Sequence, residues 1–300
     1  MNSWLLFALL GPLCWGLGNV LDSVLLRKYV QSNTTMTWYL GMSRIPLIVA
    51  MILITGFAIP SLHAAWWMFF SGFIWIAAYL FYYRAMEYED PSHIVLLMQS
   101  MPIFTLLIAV TFFNERLGVA QLIGFLLILI GGFLSSLKPA KERWHISKAL
   151  PIMVIASFMW GLSDALYKYI SQEFPTFWHA FSIFFLGGLF CSLLSPLIAK
   201  KDSHSILHYT RNLPRRAWIF LLSTLALNAV GMISFSYALT LGKASLSSVI
   251  TEIQPLITFS FGILLAKVLY DISPEDTRPR ALIMKGIAFC VILGGLFLLQ

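Results

Sequence analysis

The sequence predicts an all-α membrane protein, with ten transmembrane helices arranged as two inverted five-helix repeats. A hydrophobic composition, ten long apolar stretches and a set of motifs that occurs twice lead to this fold. Hydrophobic residues make up 59% of the 300 residues and charged residues only 11%, whereas a soluble domain carries about 25% charged residues. So few charged side chains cannot cover a surface in contact with water. The lipid bilayer is therefore the expected environment of most of the chain.

Ten apolar stretches are long enough to cross a bilayer, which takes roughly 20 residues of helix. They lack the alternation of polar and apolar residues that a membrane β-barrel needs, so all ten are predicted to be helices. The predicted segments, numbered 1 to 10 from the N-terminus, are 3–26, 35–58, 64–84, 92–114, 118–137, 149–170, 176–199, 215–240, 244–266 and 281–299. The stretches between them are too short to form a soluble domain.

The segments fall into two repeats, because short motifs recur at a nearly constant spacing. The spacing is 145 residues in the first segment of each half and 153 residues around the fourth. The recurring residues are Trp15-Gly16-Leu17 with Trp160-Gly161-Leu162, and Ala85, Ser92, Pro102 and Thr105 with Ala238, Ser245, Pro255 and Thr258. Each repeat holds five segments, the first in residues 1–145 and the second in residues 146–300.

The second repeat is predicted to lie upside down in the membrane, because five crossings per repeat is an odd number. The loop charges agree with this inversion. The five odd-numbered loops, which follow segments 1, 3, 5, 7 and 9, hold 16 basic residues, whereas the even-numbered loops and both termini hold only Arg116, Lys168 and Lys243. The 16 are Arg27, Lys28, Arg84, Lys138, Lys141, Arg143, Lys148, Lys200, Lys201, Arg211, Arg215, Arg216, Lys267, Arg278, Arg280 and Lys285. The positive-inside rule then places the odd-numbered loops in the cytoplasm and both termini outside the cell (inner) membrane.

Several short motifs resemble the EamA-type branch of the drug/metabolite transporter superfamily. They are the Trp-Gly pair in segments 1 and 6, Arg44 within Met42-Ser43-Arg44-Ile45-Pro46-Leu47, the run from Tyr237 to Ser245, the proline-bearing fourth segment of each half, and the acidic turn Asn114-Glu115-Arg116-Leu117. The resemblance implies a secondary transporter that exports amino-acid-like or amphipathic metabolites, and not an enzyme. It also implies cytoplasmic termini, whereas the loop charges of this sequence predict the reverse, and we follow the charges.

Nine residues within the predicted segments are candidate substrate-binding residues. A charged side chain near the bilayer centre costs about 2.5–3.5 kcal/mol on insertion scales, so it normally faces a partner or a polar cavity. The alternative is that these residues form interhelical bonds that hold the bundle together. The nine are Trp15, Asn19 and Asp22 on one face of segment 1, with Arg44, Gln99, Trp160, Asp164, Asn228 and Glu252 on other segments.

The charged candidates allow more specific expectations. Asp164 and Lys168 lie four residues apart on one helix, so they are predicted to neutralise each other. Glu252 has no charged neighbour within its own segment, which makes it the best candidate for a substrate-amine or proton site. Arg44 either binds a substrate carboxylate through its fork of donors or pairs with Asp22 or Glu252.

Prolines and glycines give a further set of expectations. Pro102 and Pro255 each remove one backbone hydrogen bond and are predicted to kink segments 4 and 9. The pairs Gly124 with Gly131 and Gly286 with Gly294 are predicted to form close-packing faces, either within the bundle or at a contact with a second copy. The sequence therefore leaves a homodimer open.

The leading functional hypothesis is secondary transport of a small organic molecule by alternating access between two inverted halves. The chain has no Walker A motif for direct ATP use, no basic block for nucleic acid, and no pattern that indicates a catalytic, metal or cofactor site. A proton gradient or exchange remains open as the driving force. The alternatives are a membrane-embedded lipid-modifying enzyme, which would need a catalytic cluster, and a lipid-carrier flippase, which would share the fold and differ in cargo.

The charge asymmetry predicts the orientation of the chain. A reporter enzyme that is active only in the cytoplasm should be inactive when fused after Gln300 and active when inserted within residues 201–210, because basic loops are retained on the cytoplasmic side. Reporter activity, normalised to the protein level, measures the location of each of the two positions. The opposite pattern would contradict this topology and favour cytoplasmic termini.

Overall fold

The computed structural model describes residues 3–30, 32–85, 88, 97–136, 148–198, 203–266 and 279–299. Helices are the only regular elements in these ranges, and no strand occurs in them. The α-helices are α1 (Ser3–Val24), α2 (Asn33–Met42), α3 (Ile45–Thr55), α4 (Leu62–Ala85), α5 (Met101–Phe113), α6 (Val119–Ser136), α7 (Ala149–Ile170), α8 (Phe177–Ile198), α9 (Ser203–Asn212), α10 (Arg215–Leu241), α11 (Ala244–Ile250), α12 (Gln254–Ala266) and α13 (Pro279–Leu298). A π-helical turn, Leu25–Tyr29, follows α1, and 3₁₀ turns occupy Ser171–Glu173 and Thr251–Ile253.

These helices agree in position with the predicted segments. Within the described residues, seven helical stretches are long and apolar enough to cross a membrane, and shorter apolar helices at Met101–Phe113, Val119–Leu134 and Leu282–Leu298 match predicted segments 4, 5 and 10. The protein is therefore an all-helical, multi-pass membrane protein. Residues 92–96 of predicted segment 4 and the predicted repeat boundary at 145/146 lie outside the described residues.

Three predicted segments are interrupted beside a proline. In segment 9, α11 gives way to the 3₁₀ turn Thr251–Ile253 before α12, which carries Pro255 in its first turn. In segment 4, α5 begins at Met101 with Pro102 in its first turn. These two breaks confirm the predicted kinks. A third break, between α2 and α3, was not predicted, and it arises because Pro46 has no N–H to donate to the Met42 carbonyl.

Helix α9 corrects the prediction of a polar loop after segment 7. This ten-residue helix contacts α2, and the hydroxyl oxygen of Tyr39 on α2 lies 2.9 Å from that of Thr210 on α9. Tyr209 also packs against the apolar cluster that surrounds Tyr39. The sequence pattern missed this helix because its polar residues outnumber its apolar ones, although Ile206 and Tyr209 are three residues apart and share a face.

Most of the extensive interhelical contacts occur in pairs that are related by exchanging the two repeats. Helix α1 packs along α10, and its repeat equivalent α7 packs along α4, the equivalent of α10. Likewise α5 packs on α7 and α12 packs on α1, while α6 and α13 pack on each other. The contact of α4 with α8 is an exception, because α10 has no equally extensive contact with α2 or α3.

The recurring Trp-Gly motif marks one of these repeat-related contacts. A Cβ atom on Gly16 would lie 2.6 Å from the Ile257 side chain and 3.2 Å from the Thr258 nitrogen. A Cβ atom on Gly161 would lie 2.9 Å from the nitrogen of Thr105, the repeat equivalent of Thr258. Each glycine thus allows the first helix of one half to touch the fourth segment of the other half.

Glycines also join α6 and α13, although only some of those predicted. Gly124 and Gly131 pack against α13 as expected, and a Cβ atom on Gly124 would lie 2.8 Å from the Gly295 carbonyl oxygen. Gly286 and Gly294 make no close contact within the bundle, because a Cβ atom on either would meet no atom within 4 Å, and their contact with a second copy stays a prediction. Gly295 occupies the contact instead, since one residue of helix rotates the side chain by about 100°.

Substitution of Gly72 should destabilise the bundle. Helices α4 and α8 approach so closely that a Cβ atom on Gly72 would lie 1.8 Å from the Phe184 carbonyl oxygen, which is backbone and cannot rotate away. We expect Gly72→Ala to lower the free energy of unfolding by about 1–3 kcal/mol, as for other overpacked interiors. Thermal unfolding in detergent measures the change, with Gly286→Ala as the control because its added methyl group meets nothing. Equal melting temperatures for the two variants would contradict this packing.

Candidate functional site

The face of α1 that carries Trp15, Asn19 and Asp22 lies against α10. The Trp15 ring packs edge-on against Phe235, with centroids 5.3 Å apart. The Thr224 hydroxyl donates to Asp22 Oδ1 at 2.8 Å. Asn19, between them, is half-buried. The prediction that these three residues share one face is confirmed, and the face is an interface between the two repeats.

Equivalent hydroxyl groups lie at the interface of the equivalent helices α7 and α4. The Ser71 hydroxyl donates to the Ser163 carbonyl at 2.9 Å. Thr224, its repeat equivalent, donates its single hydrogen to Asp22 Oδ1, and its hydroxyl oxygen lies 3.4 Å from the carbonyl of Gly18, the equivalent of Ser163. The two interfaces between the halves therefore place equivalent hydroxyl groups beside equivalent carbonyls.

An aromatic cluster, consisting of Trp75, Tyr79, Tyr82, Tyr83 and Trp160, lies between α4 and α7. The Tyr79 ring is 5.1 Å from that of Trp75 and 5.3 Å from that of Trp160. The Trp160 indole donates to the Trp75 carbonyl at 3.0 Å. Tyr79 and Tyr82 are half-buried, whereas the two tryptophans are buried. The tyrosines also pack in one cluster with Val20, Leu21 and Val24, so the aromatic cluster borders α1.

Two of the polar candidates lie at the edge of this aromatic cluster. The side chain of Asn228 lies beside the Tyr79 hydroxyl. Leu21, the neighbour of Asp22 on α1, packs in the same cluster as Tyr79, Tyr82 and Tyr83. Asn228 and Trp160 thus lie beside Tyr79, and Asp22 lies on the adjoining stretch of α1. We refer to these residues with the aromatic cluster as the central site.

The two tryptophans of the recurring motif differ in their bonding. The Trp160 indole N–H is bonded to the Trp75 carbonyl, whereas the Trp15 indole N–H has no acceptor among the described residues. The acceptor equivalent to Trp75 would be Asn228, 153 residues later. The tryptophan therefore recurs in both halves, but its indole N–H is hydrogen-bonded in only one of them, at Trp160.

Arg44 is buried at the break between α2 and α3 and makes neither of the ion pairs considered for it. Its side chain is 3% exposed, and Nη1 and Nη2 have no hydrogen-bond acceptor in the described part of the chain. Its guanidinium carbon lies 4.5 Å from the ring centre of Phe185 and 5.8 Å from that of Trp75. Pairing with Asp22 or Glu252 is therefore wrong, and Arg44 lies among aromatic rings instead.

The predicted pair Asp164–Lys168 is also wrong. The Lys168 ammonium donates to the Thr240 carbonyl on α10 at 3.0 Å, whereas the Asp164 side chain is buried beside the Ser248 hydroxyl. The spacing of four residues allows contact, but a tertiary carbonyl on α10 provides the lysine with a nearer partner. Asp164 lies closer to the even-numbered loops than the central site does, since α7 runs from an odd-numbered loop to an even-numbered one.

Gln99 and Glu252, which are repeat equivalents, are both buried at the breaks before the two prolines. Glu252 lies against α6, where a Cβ atom on Gly132 would be 2.9 Å from Glu252 Oε2. It is placed on the side of its segment that faces α6. The turn that carries Glu252 also contacts α1.

Glu115 joins the two repeats at the face of the even-numbered loops. It follows Asn114, whose φ of 54° turns the chain sharply after α5. The carboxylate accepts from the backbone N–H groups of Ala244 and Ser245 at 2.9 and 3.3 Å, and from the Ser245 hydroxyl and the Tyr169 hydroxyl. A carboxylate at the first turn of a helix satisfies otherwise unpaired N–H groups and suits the helix dipole. Glu115 thus caps α11 from the opposite repeat.

Lys243 extends this connection. It donates to the Arg116 carbonyl at 2.5 Å and to Gln121 Oε1 at 2.6 Å, again across the repeats. Lys168, Lys243 and Glu115 line an open cavity of about 360 Å³ at this face. The bonds of Lys243 and Glu115 join the halves, whereas Lys168 is bonded to Thr240 within the second repeat.

Sequence reasoning missed the tyrosines of the central site. Tyr79, Tyr82 and Tyr83 were indistinguishable from the aromatic residues that commonly lie at a membrane interface. Thr224 was missed because a single threonine is common in membrane helices. Among the residues that the structure describes, no group of three or more His, Cys, Asp and Glu side chains could hold a metal ion.

The structure defines a helical membrane protein built from two repeats, with polar and aromatic side chains between them. Comparison with known proteins identifies the family within this class of membrane proteins. The sequence model of the EamA-like transporter family matches residues 2–137 and 147–272. The chain belongs to this family, whose members are membrane transporters of small molecules.

Other comparisons agree on the fold. No curated protein matches the chain in sequence. Twenty-six chains of solved structures match it, and one of them, described only as the crystal structure of a protein, has a TM-score of 0.70 and 17% sequence identity over 99% of this chain and 96% of that chain. At this identity the similarity shows a shared fold and nothing about the cargo.

Loss of the Glu115 carboxylate should loosen the contact between the repeats. Glu115→Ala leaves two backbone N–H groups of α11 and the Tyr169 hydroxyl without their acceptor, so we expect the free energy of unfolding to fall by about 1–3 kcal/mol. Tyr169→Phe removes one bond only and should cost less. Thermal unfolding in detergent measures both, with the exposed acid Glu173→Ala as the control. A Glu115→Ala variant as stable as the control would show that the capping bonds do not hold the repeats together.

Proposed function

We propose that the protein is a secondary transporter that exports a small organic metabolite, of amino-acid-like or amphipathic character, across the cell membrane. In this proposal, ten membrane crossings form two inverted five-helix halves, and the cargo binds between the halves at the central site. Alternating access then carries it from the cytoplasmic side, where the odd-numbered loops lie, to the outside.

One observation carries this proposal. The two halves are in contact through repeat-equivalent helices, yet the Trp160 indole is bonded while the Trp15 indole is not. Two equivalent interfaces that adopt different local conformations are what a pair of exchanging halves requires, because each state of the transporter opens one interface and closes the other.

The chemistry of the central site supports a cargo with both polar and apolar parts. Asp22 and Asn228 offer a carboxylate and an amide, while Tyr79, Tyr82 and Trp160 offer aromatic walls. Such mixed linings are typical of small-molecule sites. We assign Gln99, Glu252 and Asp164 to the surrounding shell, where Glu252 remains the candidate for proton coupling.

Movement of the halves should be required for transport. Gln121 and Lys243 lie on opposite repeats and contact each other at the face of the even-numbered loops. We expect a cleavable crosslink between Gln121→Cys and Lys243→Cys to abolish exchange of radiolabelled amino acids in proteoliposomes loaded with an unlabelled amino-acid mixture. Reducing the crosslink should restore exchange, because it frees that face to open. The background carries Cys290→Ser, since Cys290 is the exposed cysteine.

A matched control joins residues within one repeat. Ser32→Cys and Thr35→Cys lie at the start of α2, where the native hydroxyl oxygens are 3.0 Å apart, and their crosslink should leave exchange unchanged. Continued exchange by the crosslinked Gln121–Lys243 variant would contradict opening at that face. No exchange of any amino acid by the uncrosslinked protein would contradict the proposed cargo class.

A further inference from the structure

Arg44 is placed in the middle of a membrane segment by the chain itself. Helix α2 ends at Met42 and α3 begins at Ile45, so Arg44 lies on the turn between them. The break occurs because Pro46 lacks an N–H group, and interrupted helices of this kind line binding sites in other transporter folds. The guanidinium is thereby held at about half the height of the segment.

The surroundings of Arg44 leave its hydrogen-bonding capacity unused. The side chain is 3% exposed, and in the described ranges neither Nη1 nor Nη2 has an acceptor. The faces of Phe185, Trp75 and Phe184 lie within 5.9 Å of the guanidinium carbon. Cation–π contacts of this kind offset part of the cost of burying the charge, but aromatic faces do not replace oxygen acceptors for a fork of N–H donors.

The chain also leaves room for the guanidinium. A Cβ atom on Gly188 of α8 would lie 2.0 Å from Arg44 Nη1 and 2.9 Å from its guanidinium carbon. Any larger residue at this position would displace the head group. The position of the charge is therefore set by α2, α3 and α8 together.

Arg44 is next to the central site, because it lies against one of the site's rings. Its guanidinium carbon is 5.8 Å from the ring centre of Trp75, and that ring is 5.1 Å from the half-buried Tyr79. Tyr79 in turn lies 5.3 Å from Trp160. A molecule held at the central site would therefore lie one aromatic ring away from the guanidinium.

From this geometry we infer that Arg44 binds the carboxylate of the cargo and selects for it. A guanidinium presents two parallel N–H donors that match the two oxygens of a carboxylate. Its single charge balances a monoanion, whereas a phosphate monoester carries about −1.5 to −2 at neutral pH and would leave excess negative charge beside a single arginine. The apolar or aromatic part of the same molecule would rest on Tyr79 and Trp160. This inference rests on the proposed transport function and adds a residue and a chemical group to it.

Matched carboxylate and amide probes test the role of Arg44. The probes are 3-phenylpropionate and L-phenylalanine, each compared with its amide, and binding is measured by equilibrium dialysis with the purified protein in nanodiscs. We expect the wild-type protein to bind both carboxylates more tightly than their amides. Arg44→Gln should weaken carboxylate binding by about 10- to 100-fold, which corresponds to the loss of charge-assisted hydrogen bonds, while amide binding stays nearly unchanged. Arg44→Lys keeps the charge but lacks the two parallel N–H donors, so its affinity for carboxylates should lie between those of the wild type and Arg44→Gln.

A second variant keeps Arg44 in the chain. Gly188→Ala should displace the guanidinium and reduce the preference for carboxylates, whereas Gly286→Ala, whose added methyl group meets no atom, should leave it unchanged. A wild-type protein without any preference for the carboxylates would overturn the inference. So would equal weakening of carboxylate and amide binding by Arg44→Gln, which indicates a structural role. Both results could accompany normal amino-acid exchange in proteoliposomes, so the inference can fail while the transport function stands.

Discussion

Close approach between helix backbones is the constraint on which this structure depends. Lipid offers no hydrophobic force to press helices together, so their association rests on packing and on interhelical hydrogen bonds. Gly16, Gly72 and Gly161 provide that approach, because a single methyl group at any of them would enter another helix. The hydroxyl groups of Ser71 and Thr224 bond across two other helix pairs, α4 with α7 and α10 with α1. The residues of the central site lie on these same four helices.

The ionisable groups of the bundle fall into two kinds of environment. Glu115 and Lys243, near the face of the even-numbered loops, are bonded to backbone groups of the opposite repeat and serve to join the halves. Arg44 lies deeper, among aromatic rings and without an oxygen acceptor in the part of the chain that the structure describes. A structural role explains the first kind fully. The second kind keeps an unused capacity for binding, which is why it carries the inference about the cargo.

Sequence patterns predicted this fold well because composition, segment length and motif spacing are properties of the bilayer and of the repeat. The breaks beside Pro102 and Pro255 were also predictable, since proline acts on its own helix. Contacts between helices were harder to predict from the sequence. The pairing of Asp164 with Lys168 was wrong because the lysine donates to a carbonyl on α10. The sequence also did not show that Gly295, and not Gly286 or Gly294, faces α6, because the neighbouring helix determines the rotation of α13. Tyr79 was missed because its importance comes from position alone.

The two halves share helix contacts but differ in their polar residues, and the single polypeptide makes this difference possible. The position of Asn19 holds Asp164 in the other half, and that of Asp22 holds Tyr167. A dimer of identical five-helix chains would place either two aspartates or none at each such pair of positions. One polypeptide with two unlike halves is free of that symmetry, so each side of the bundle can carry its own chemistry. A single arginine between α2 and α3 is one result of this freedom.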